Sequence, residues 1–147
     1  TLDIRASNGQ FEGVVTYEAG RKAEYTRFGG YGDVIVYDAP NSVGPPIIHR
    51  ARFWVDDGEN WYGRADPTYL NGGSCAEIPN CPAPNAGFIT RGDANPTYDQ
   101  VSGISRPVRP DWITGTAEVR VPWLGYIRLE FSELTIRFGR LPAAVIH

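Results

Sequence analysis

The chain has 147 residues, of which 41% are hydrophobic and 21% charged, and its net charge is −3. This length and composition suit one globular domain with a buried core and argue against wholesale disorder. We expect no nucleic-acid partner, because such proteins carry a basic excess, and no run of about 18 apolar residues is present to span a membrane.

The sequence pattern predicts several short strands before residue 57. The 17 glycines and 12 prolines leave little room for long helices. Residues 14–17 predict a strand or hairpin, and the apolar run at 33–38 predicts a central strand. In residues 47–56, the odd positions are apolar except for His49, and the even positions are mostly charged. A strand places these two sets on opposite faces.

Residues 57–85 are rich in Asp, Gly, Asn and Pro and predict a long ordered insertion, which Trp61 and Tyr62 attach to the body of the domain. Cys75 and Cys81 have neither a zinc nor a redox spacing. We interpret them as a disulfide-closed loop formed in an oxidising compartment; the alternative is two free thiols.

The second half of the chain continues the β pattern. Residues 87–91 predict a short strand, and residues 97–113 predict a loop, because Pro107 and Pro110 forbid a regular helix. Alternating residues predict further strands at 117–121, 127–131 and 134–138. We therefore expect a mainly β domain of coiled or barrel-like antiparallel sheets that carries the long disulfide-containing insertion.

His49 is the only histidine apart from the terminal His147. Three interpretations compete for it: a hydrogen-bonded core histidine, a general base, or a metal ligand. A metal ligand fits least, because no second histidine or cysteine cluster accompanies it. Asp93 and Asp99 flank a turn, where aspartates commonly cap their own backbone; alternatively, either could orient the imidazole of His49.

No serine offers a convincing nucleophile for that base, since none lies in a Gly-x-Ser-x-Gly turn. The six serines are Ser7, Ser42, Ser74, Ser102, Ser105 and Ser132.

Five sequence blocks, in matching order over residues 30–130, resemble the type I signal peptidases of the archaeal and endoplasmic-reticulum kind. The blocks are Gly32-Asp-Val-Ile-Val-Tyr37, Ile47-Ile-His-Arg50, Phe88-Ile-Thr-Arg-Gly-Asp-Ala-Asn95 with Tyr98-Asp99, Ile113-Thr-Gly-Thr-Ala117 and Arg120-Val-Pro-Trp-Leu-Gly125. The insertion is most similar to that of archaeal members. Residues 1–31 match poorly.

The resemblance implies a membrane-anchored serine endopeptidase that removes signal peptides from exported proteins at the extracytoplasmic face of the membrane. His49 stands in the block where the bacterial branch carries its lysine, so the resemblance makes it the general base. Asp99 becomes the third triad member and Asp93 a supporting carboxylate. Residues 1–147 would form a single extracytoplasmic domain of the signal peptidase fold, with no cofactor and no metal.

The family nucleophile belongs to a Ser-Met dipeptide, and this sequence contains no methionine. We therefore expect a truncated form of the enzyme that lacks its serine and its membrane segment and is inactive as it stands. The single lysine, Lys22, lies outside the matching blocks, which argues against a Ser-Lys mechanism. The alternatives are a non-catalytic peptide-binding β domain of the same fold and an unrelated secreted β-sandwich, such as a carbohydrate binder.

Overall fold

The computed structural model describes residues 13–41, 43–117, 120–121 and 125–126, and this part of the chain is mainly β with few helices. The strands are β1 (Thr26–Arg27), β2 (Gly30–Tyr31), β3 (Val34–Tyr37), β4 (Ile47–Val55), β5 (Gly87–Arg91), β6 (Ile113–Thr116), β7 (Arg120–Val121) and β8 (Gly125–Tyr126). The helices are α1 (Tyr17–Ala23) and α2 (Asp99–Ser102), with 3₁₀ turns at Tyr62–Arg64, Pro67–Tyr69, Cys75–Glu77 and Pro110–Trp112.

The centre of the fold is a four-stranded antiparallel sheet in the order β5-β4-β3-β6. Strands β3, β4 and β5 confirm the predictions for residues 33–38, 47–56 and 87–91. Two further pairs, β1 with β2 and β7 with β8, are antiparallel hairpins. Among the described strands no barrel closes, so the barrel-like arrangement is not seen there.

A bulge in β4 changes which residues share a face of the sheet. Ala51 pairs with Thr90, but Phe53 pairs with Ile89, so β4 carries one extra residue at Arg52. His49 and Ala51 therefore share a face with Thr90, whereas Phe53 lies on the opposite face. The prediction that all odd positions of 47–55 share one face is wrong beyond the bulge, because an extra residue reverses the alternation.

Each face of the sheet contributes to its own hydrophobic cluster. One cluster consists of Phe53, Val55, Trp61, Leu70, Ile78, Ala83, Ile89 and Tyr98. The other consists of Val14, Ile35, Tyr37, Ala51, Phe88, Val108 and Ile113. The sheet is covered on both sides, which explains why every residue of β3 and β5 is buried.

The insertion at residues 57–85 is present and packs on the first cluster. Trp61 is completely buried, and its indole Nε1 donates a hydrogen bond to the Asn80 carbonyl oxygen over 2.8 Å. Tyr62 packs against the same cluster. Cys75 and Cys81 form a disulfide, which confirms that part of the prediction.

Residues 14–17 do not form the predicted strand or hairpin: Val14 makes a single β-bridge, and a helix begins at Tyr17. The Thr16 hydroxyl accepts a hydrogen bond from the Ala19 backbone N–H over 3.1 Å, which caps α1, and Glu18 lies in its first turn. Both features favour a helix start. The segment remains attached to the sheet through the Asp33 backbone N–H, which donates to the Val15 carbonyl oxygen.

The region after residue 97 departs from the prediction in two places. A single helical turn, α2, precedes Pro107 in the expected loop, and β6, which was not predicted, begins at the last residue of that loop. Of the strand predicted at 117–121, residues 120–121 pair with β8. The strands predicted at 127–131 and 134–138 lie outside the described residues. No helix in the described part is long and apolar enough to cross a membrane.

Replacing Trp61 by Ala should lower the free energy of unfolding by about 3–5 kcal/mol, because it empties a completely buried site in the first cluster. Chemical denaturation measures this loss. Val43→Ala is the control, since Val43 is 98% exposed and its truncation should change the stability by less than about 0.5 kcal/mol. A loss below about 1 kcal/mol for Trp61→Ala would contradict the packing of the insertion on the core.

Candidate functional site

His49 and Asp99, fifty positions apart in the chain, meet on one face of the sheet. The His49 imidazole lies on β4 with its side chain 13% exposed, and the Asp99 side chain at the start of α2 is completely buried. His49 Nδ1 and Asp99 Oδ2 are 2.7 Å apart. The sequence had left open which aspartate would approach the imidazole, and the structure brings Asp99 to it.

Gln100 fixes the helical turn that carries Asp99. Its side-chain oxygen Oε1 accepts from the Thr90 backbone N–H over 2.9 Å, and its side-chain Nε2 donates to the Thr90 hydroxyl over 3.2 Å. Gln100 is itself completely buried. These two bonds clamp α2 to β5, so the position of the Asp99 carboxylate is set by the sheet.

Three donors from three neighbouring strands converge on Asp99 Oδ2. Besides His49 on β4, the Thr90 hydroxyl of β5 lies 2.6 Å away and the Tyr37 hydroxyl of β3 lies 3.2 Å away. The other carboxylate oxygen, Oδ1, is buried and accepts no hydrogen bond from the described residues. An ionised carboxylate only accepts hydrogen bonds, so the ring nitrogen that faces it, Nδ1, is the one that donates.

Burial is the main cause that raises the pKa of Tyr37 far above its usual value, and the Asp99 charge adds to this. Hydrogen bonds with Thr90 and Ser105 act in the opposite direction on that pKa but are smaller. The phenol therefore keeps its proton and remains a donor to Asp99 at all physiological pH values.

Gly92 packs against the imidazole beside Nε2. A methyl group built at Gly92 would lie 2.7 Å from His49 Nε2 and 2.9 Å from its Cδ2, which is closer than carbon atoms approach. Only glycine leaves the ring in its observed position there. None of the described residues hydrogen-bonds to Nε2.

Asp93 pairs with Arg50 and not with His49. The Arg50 Nε and Nη2 atoms donate to the two Asp93 carboxylate oxygens over 2.8 and 2.6 Å. Arg50 Nη1 donates to the carbonyl oxygens of Arg27, Tyr31 and Gly32. Arg50, one of the charged even positions of β4, is only 1% exposed, because these partners replace water.

Tyr37 and Thr90 are the residues of this site that the sequence did not single out. Tyr37 closes the apolar run of β3, and Thr90 is the one polar residue inside the buried part of β5 before Arg91. A hydroxyl in an otherwise apolar strand is a signal for a buried hydrogen-bond partner, but it does not say which partner.

Three of the six serines lie in the described part of the chain. Ser74, Ser102 and Ser105 lie there, and none of them hydrogen-bonds to His49; Ser102 and Ser105 donate to backbone carbonyl oxygens. Ser7, Ser42 and Ser132 lie outside it. No group of three or more His, Cys, Asp or Glu side chains placed to hold a metal ion occurs among the described residues.

Comparisons of the chain with protein-family models, with curated proteins and with solved structures found no match. The resemblance to the signal peptidases therefore stays a prediction from the sequence blocks. The geometry of His49, Asp99 and their partners is what the structure adds to it.

Replacing Arg50 by Gln should cost about 3–5 kcal/mol of unfolding free energy, because it removes a buried guanidinium that donates to Asp93 and to three backbone carbonyl oxygens. Arg109→Gln is the matched control, since Arg109 and its partner Asp111 are both exposed and such pairs contribute at most about 1 kcal/mol. Urea denaturation of the two variants compares them. Equal losses of unfolding free energy in the two variants would contradict a larger contribution from the Arg50–Asp93 pair than from the exposed Arg109–Asp111 pair.

The raised pKa of Tyr37 predicts that the protein loses stability at alkaline pH. Its folded-state pKa is raised, so above the ordinary value of 10.0 the unfolded chain releases a proton that the folded protein retains. The contribution is thus fully present below pH 10 and declines as the pH rises. Tyr37→Phe should make the decline shallower by about 1.4 kcal/mol per pH unit.

Thr90→Val is the control for this pH dependence. It also removes a donor to Asp99 but keeps the Tyr37 phenol, so it should lower stability and leave the alkaline slope in place. Denaturation curves recorded between pH 8 and 11 measure both variants. An unchanged slope in Tyr37→Phe would contradict the buried, protonated phenol.

Proposed function

We propose that this chain is the extracytoplasmic domain of a type I signal peptidase of the archaeal and endoplasmic-reticulum kind, a serine endopeptidase that removes signal peptides from exported preproteins. The observation that carries the proposal is the 2.7 Å contact between His49 Nδ1 and the buried Asp99 Oδ2. These two residues come from separate blocks of the resemblance, and they are the two to which it assigns the base and the third triad member.

His49 would act as the general base. With its Nδ1 proton directed at Asp99, Nε2 accepts the proton of a serine hydroxyl as that oxygen attacks the scissile carbonyl. An acyl-enzyme forms, and the resulting imidazolium returns the proton to the leaving amine. Water activated by the same nitrogen then releases the acyl group.

Asp99 would hold the imidazole in this tautomer and stabilise the imidazolium. Tyr37 and Thr90 support that role, because they fix the carboxylate oxygen that His49 contacts and prevent it from rotating away. They act as positioning residues, since they contact Asp99 rather than the reacting atoms.

Asp93 would support the site without taking part in proton transfer. Its ion pair with Arg50 anchors the turn that follows Gly92, and Gly92 packs against the base. This is the supporting function that the resemblance assigned to it.

The proposal requires a serine nucleophile from outside these 147 residues, because the Ser-Met dipeptide of the family is absent from them. The membrane anchor would come from outside them too.

A second candidate is a non-catalytic peptide-binding domain of the same fold. It is favoured by the observation that no described serine hydrogen-bonds to His49. A peptide would bind as an added strand. Strands β5 and β6 are the two edges of the four-stranded sheet, and Val108 already exchanges backbone hydrogen bonds with Phe88 of β5. Among the described strands, β6 therefore offers the edge for such pairing.

The decisive experiment measures cleavage of a signal-peptide substrate by the full-length, membrane-anchored protein. His49→Ala and Asp99→Asn should each lower kcat/KM by roughly 10³-fold or more, because each removes the oriented base. Asp111→Asn, which changes an exposed carboxylate whose partner is Arg109 and not a residue of the site, is the control and should cleave normally.

Two outcomes would count against the proposed enzyme. Cleavage by His49→Ala at the rate of the natural protein would remove this histidine from the mechanism. Saturable binding of the peptide without any cleavage by the natural full-length protein would favour the peptide-binding domain instead. Circular dichroism of each variant shows that a lost activity is not lost folding.

A further inference from the structure

A cavity of about 620 Å³ lies on the opposite face of the sheet from His49. Its walls come from α1, from Arg52 and Phe53 at the bulge of β4, from Arg64 to Asp66 in the insertion and from Tyr98. Neither His49 nor Asp99 lines it. Small-molecule sites in proteins have volumes of about 300–1,000 Å³, and this cavity falls in that range.

The cavity is cationic although the chain as a whole is anionic. Its lining contains four basic side chains, Arg21, Lys22, Arg52 and Arg64, and only two carboxylates, Glu18 and Asp66, whereas the net charge of the chain is −3. The single lysine of the sequence is among them. This concentration of positive charge in a concave surface attracts anions.

Three of the four cations lack a carboxylate partner in the described part of the protein. Arg64 is occupied, because it pairs with Glu59 over 2.7 Å and with Glu18 over 3.3 Å. No such pair forms at Arg21, Lys22 or Arg52. Arg21 and Lys22 therefore face the cavity without a carboxylate partner among the described residues, and Arg52 has only the more distant charge of Asp66 near it.

Aromatic packing fixes the position of Arg52. Its guanidinium lies 3.8 Å from the centre of the Tyr17 ring and 5.6 Å from that of Tyr69. A guanidinium held by its face keeps its N–H edge free for two parallel hydrogen bonds to an oxyanion. Arg52 is thus positioned for anion binding by aromatic packing, and Asp66 of the same lining acts on it through its charge but forms no ion pair with it.

We propose that this cavity binds a small organic phosphate. The phosphate group lies between Arg52, Arg21 and Lys22, and the carbon part of the ligand packs toward Phe53 and Tyr98. A phosphate monoester carries close to two negative charges at neutral pH, which matches three available cations better than the single charge of a carboxylate. The cavity also exceeds the volume that inorganic phosphate alone would fill.

Isothermal titration calorimetry with phenyl phosphate tests the site, because this probe joins a phosphate monoester to a small apolar body. We expect saturable binding of one molecule, with affinity above that for inorganic phosphate. Arg52→Gln should weaken binding roughly tenfold or more, since it removes a charge-assisted pair of hydrogen bonds. Arg109→Gln, an exposed arginine outside the cavity, should bind as the natural protein does.

Lys22→Gln keeps the test valid if Arg52→Gln fails to fold. Lys22 is exposed at the last turn of α1, so its loss leaves the core intact and should still weaken binding of phenyl phosphate. Absence of saturable binding to the natural protein, or unchanged affinity in both variants, would overturn the proposal. Equal affinity for phenyl phosphate and inorganic phosphate would overturn the assignment of the carbon body.

Cosedimentation with vesicles separates the two sources of such a ligand. Binding to vesicles that contain phosphatidic acid, lost in Arg52→Gln and absent with phosphatidylcholine alone, would assign a lipid headgroup. Binding of phenyl phosphate without binding to those vesicles would assign a soluble organic phosphate. Both results support the same phosphate site.

Discussion

The buried carboxylate of Asp99 is the group on which the site and much of the sheet depend. Tyr37, His49 and Thr90 come from the three adjacent strands β3, β4 and β5, and all contact the same oxygen. Burying a charged group away from water costs free energy unless hydrogen bonds replace the water. The buried carboxylate is therefore stable only while the strands keep their register and α2 stays packed on β5. The stability of the sheet and the geometry of the candidate site therefore depend on the same contacts.

The alternation of β4 separates two ion-pair systems that the sequence places side by side. His49 points to the face that carries Asp99, and Arg50 points to the other face, where it binds Asp93. The two aspartates of one short connection consequently have different tasks. Asp99 orients an imidazole, whereas Asp93 anchors the chain next to it, and Gly92 provides the close approach between the two systems.

The sequence predicted the strands at 33–38, 47–56 and 87–91 because their apolar patterns and flanking turn residues act locally. It missed the helix at Tyr17–Ala23, whose start is marked by the Thr16 cap. The bulge at Arg52 was also missed, since a one-residue insertion shows only in the pairing with β5. That bulge moves Phe53 away from the His49 face and into the wall of the cationic cavity.

For the candidate site, the sequence by itself singled out the one internal histidine, His49, and two closely spaced aspartates, Asp93 and Asp99. Only the tertiary structure decided that Asp99 is the partner of His49, that Tyr37 and Thr90 share its oxygen, and that Arg50 is buried. The reason is physical. The contacts of Asp99 with His49 and Tyr37 span 50 and 62 positions, so they depend on strand register and helix docking, which no local pattern encodes.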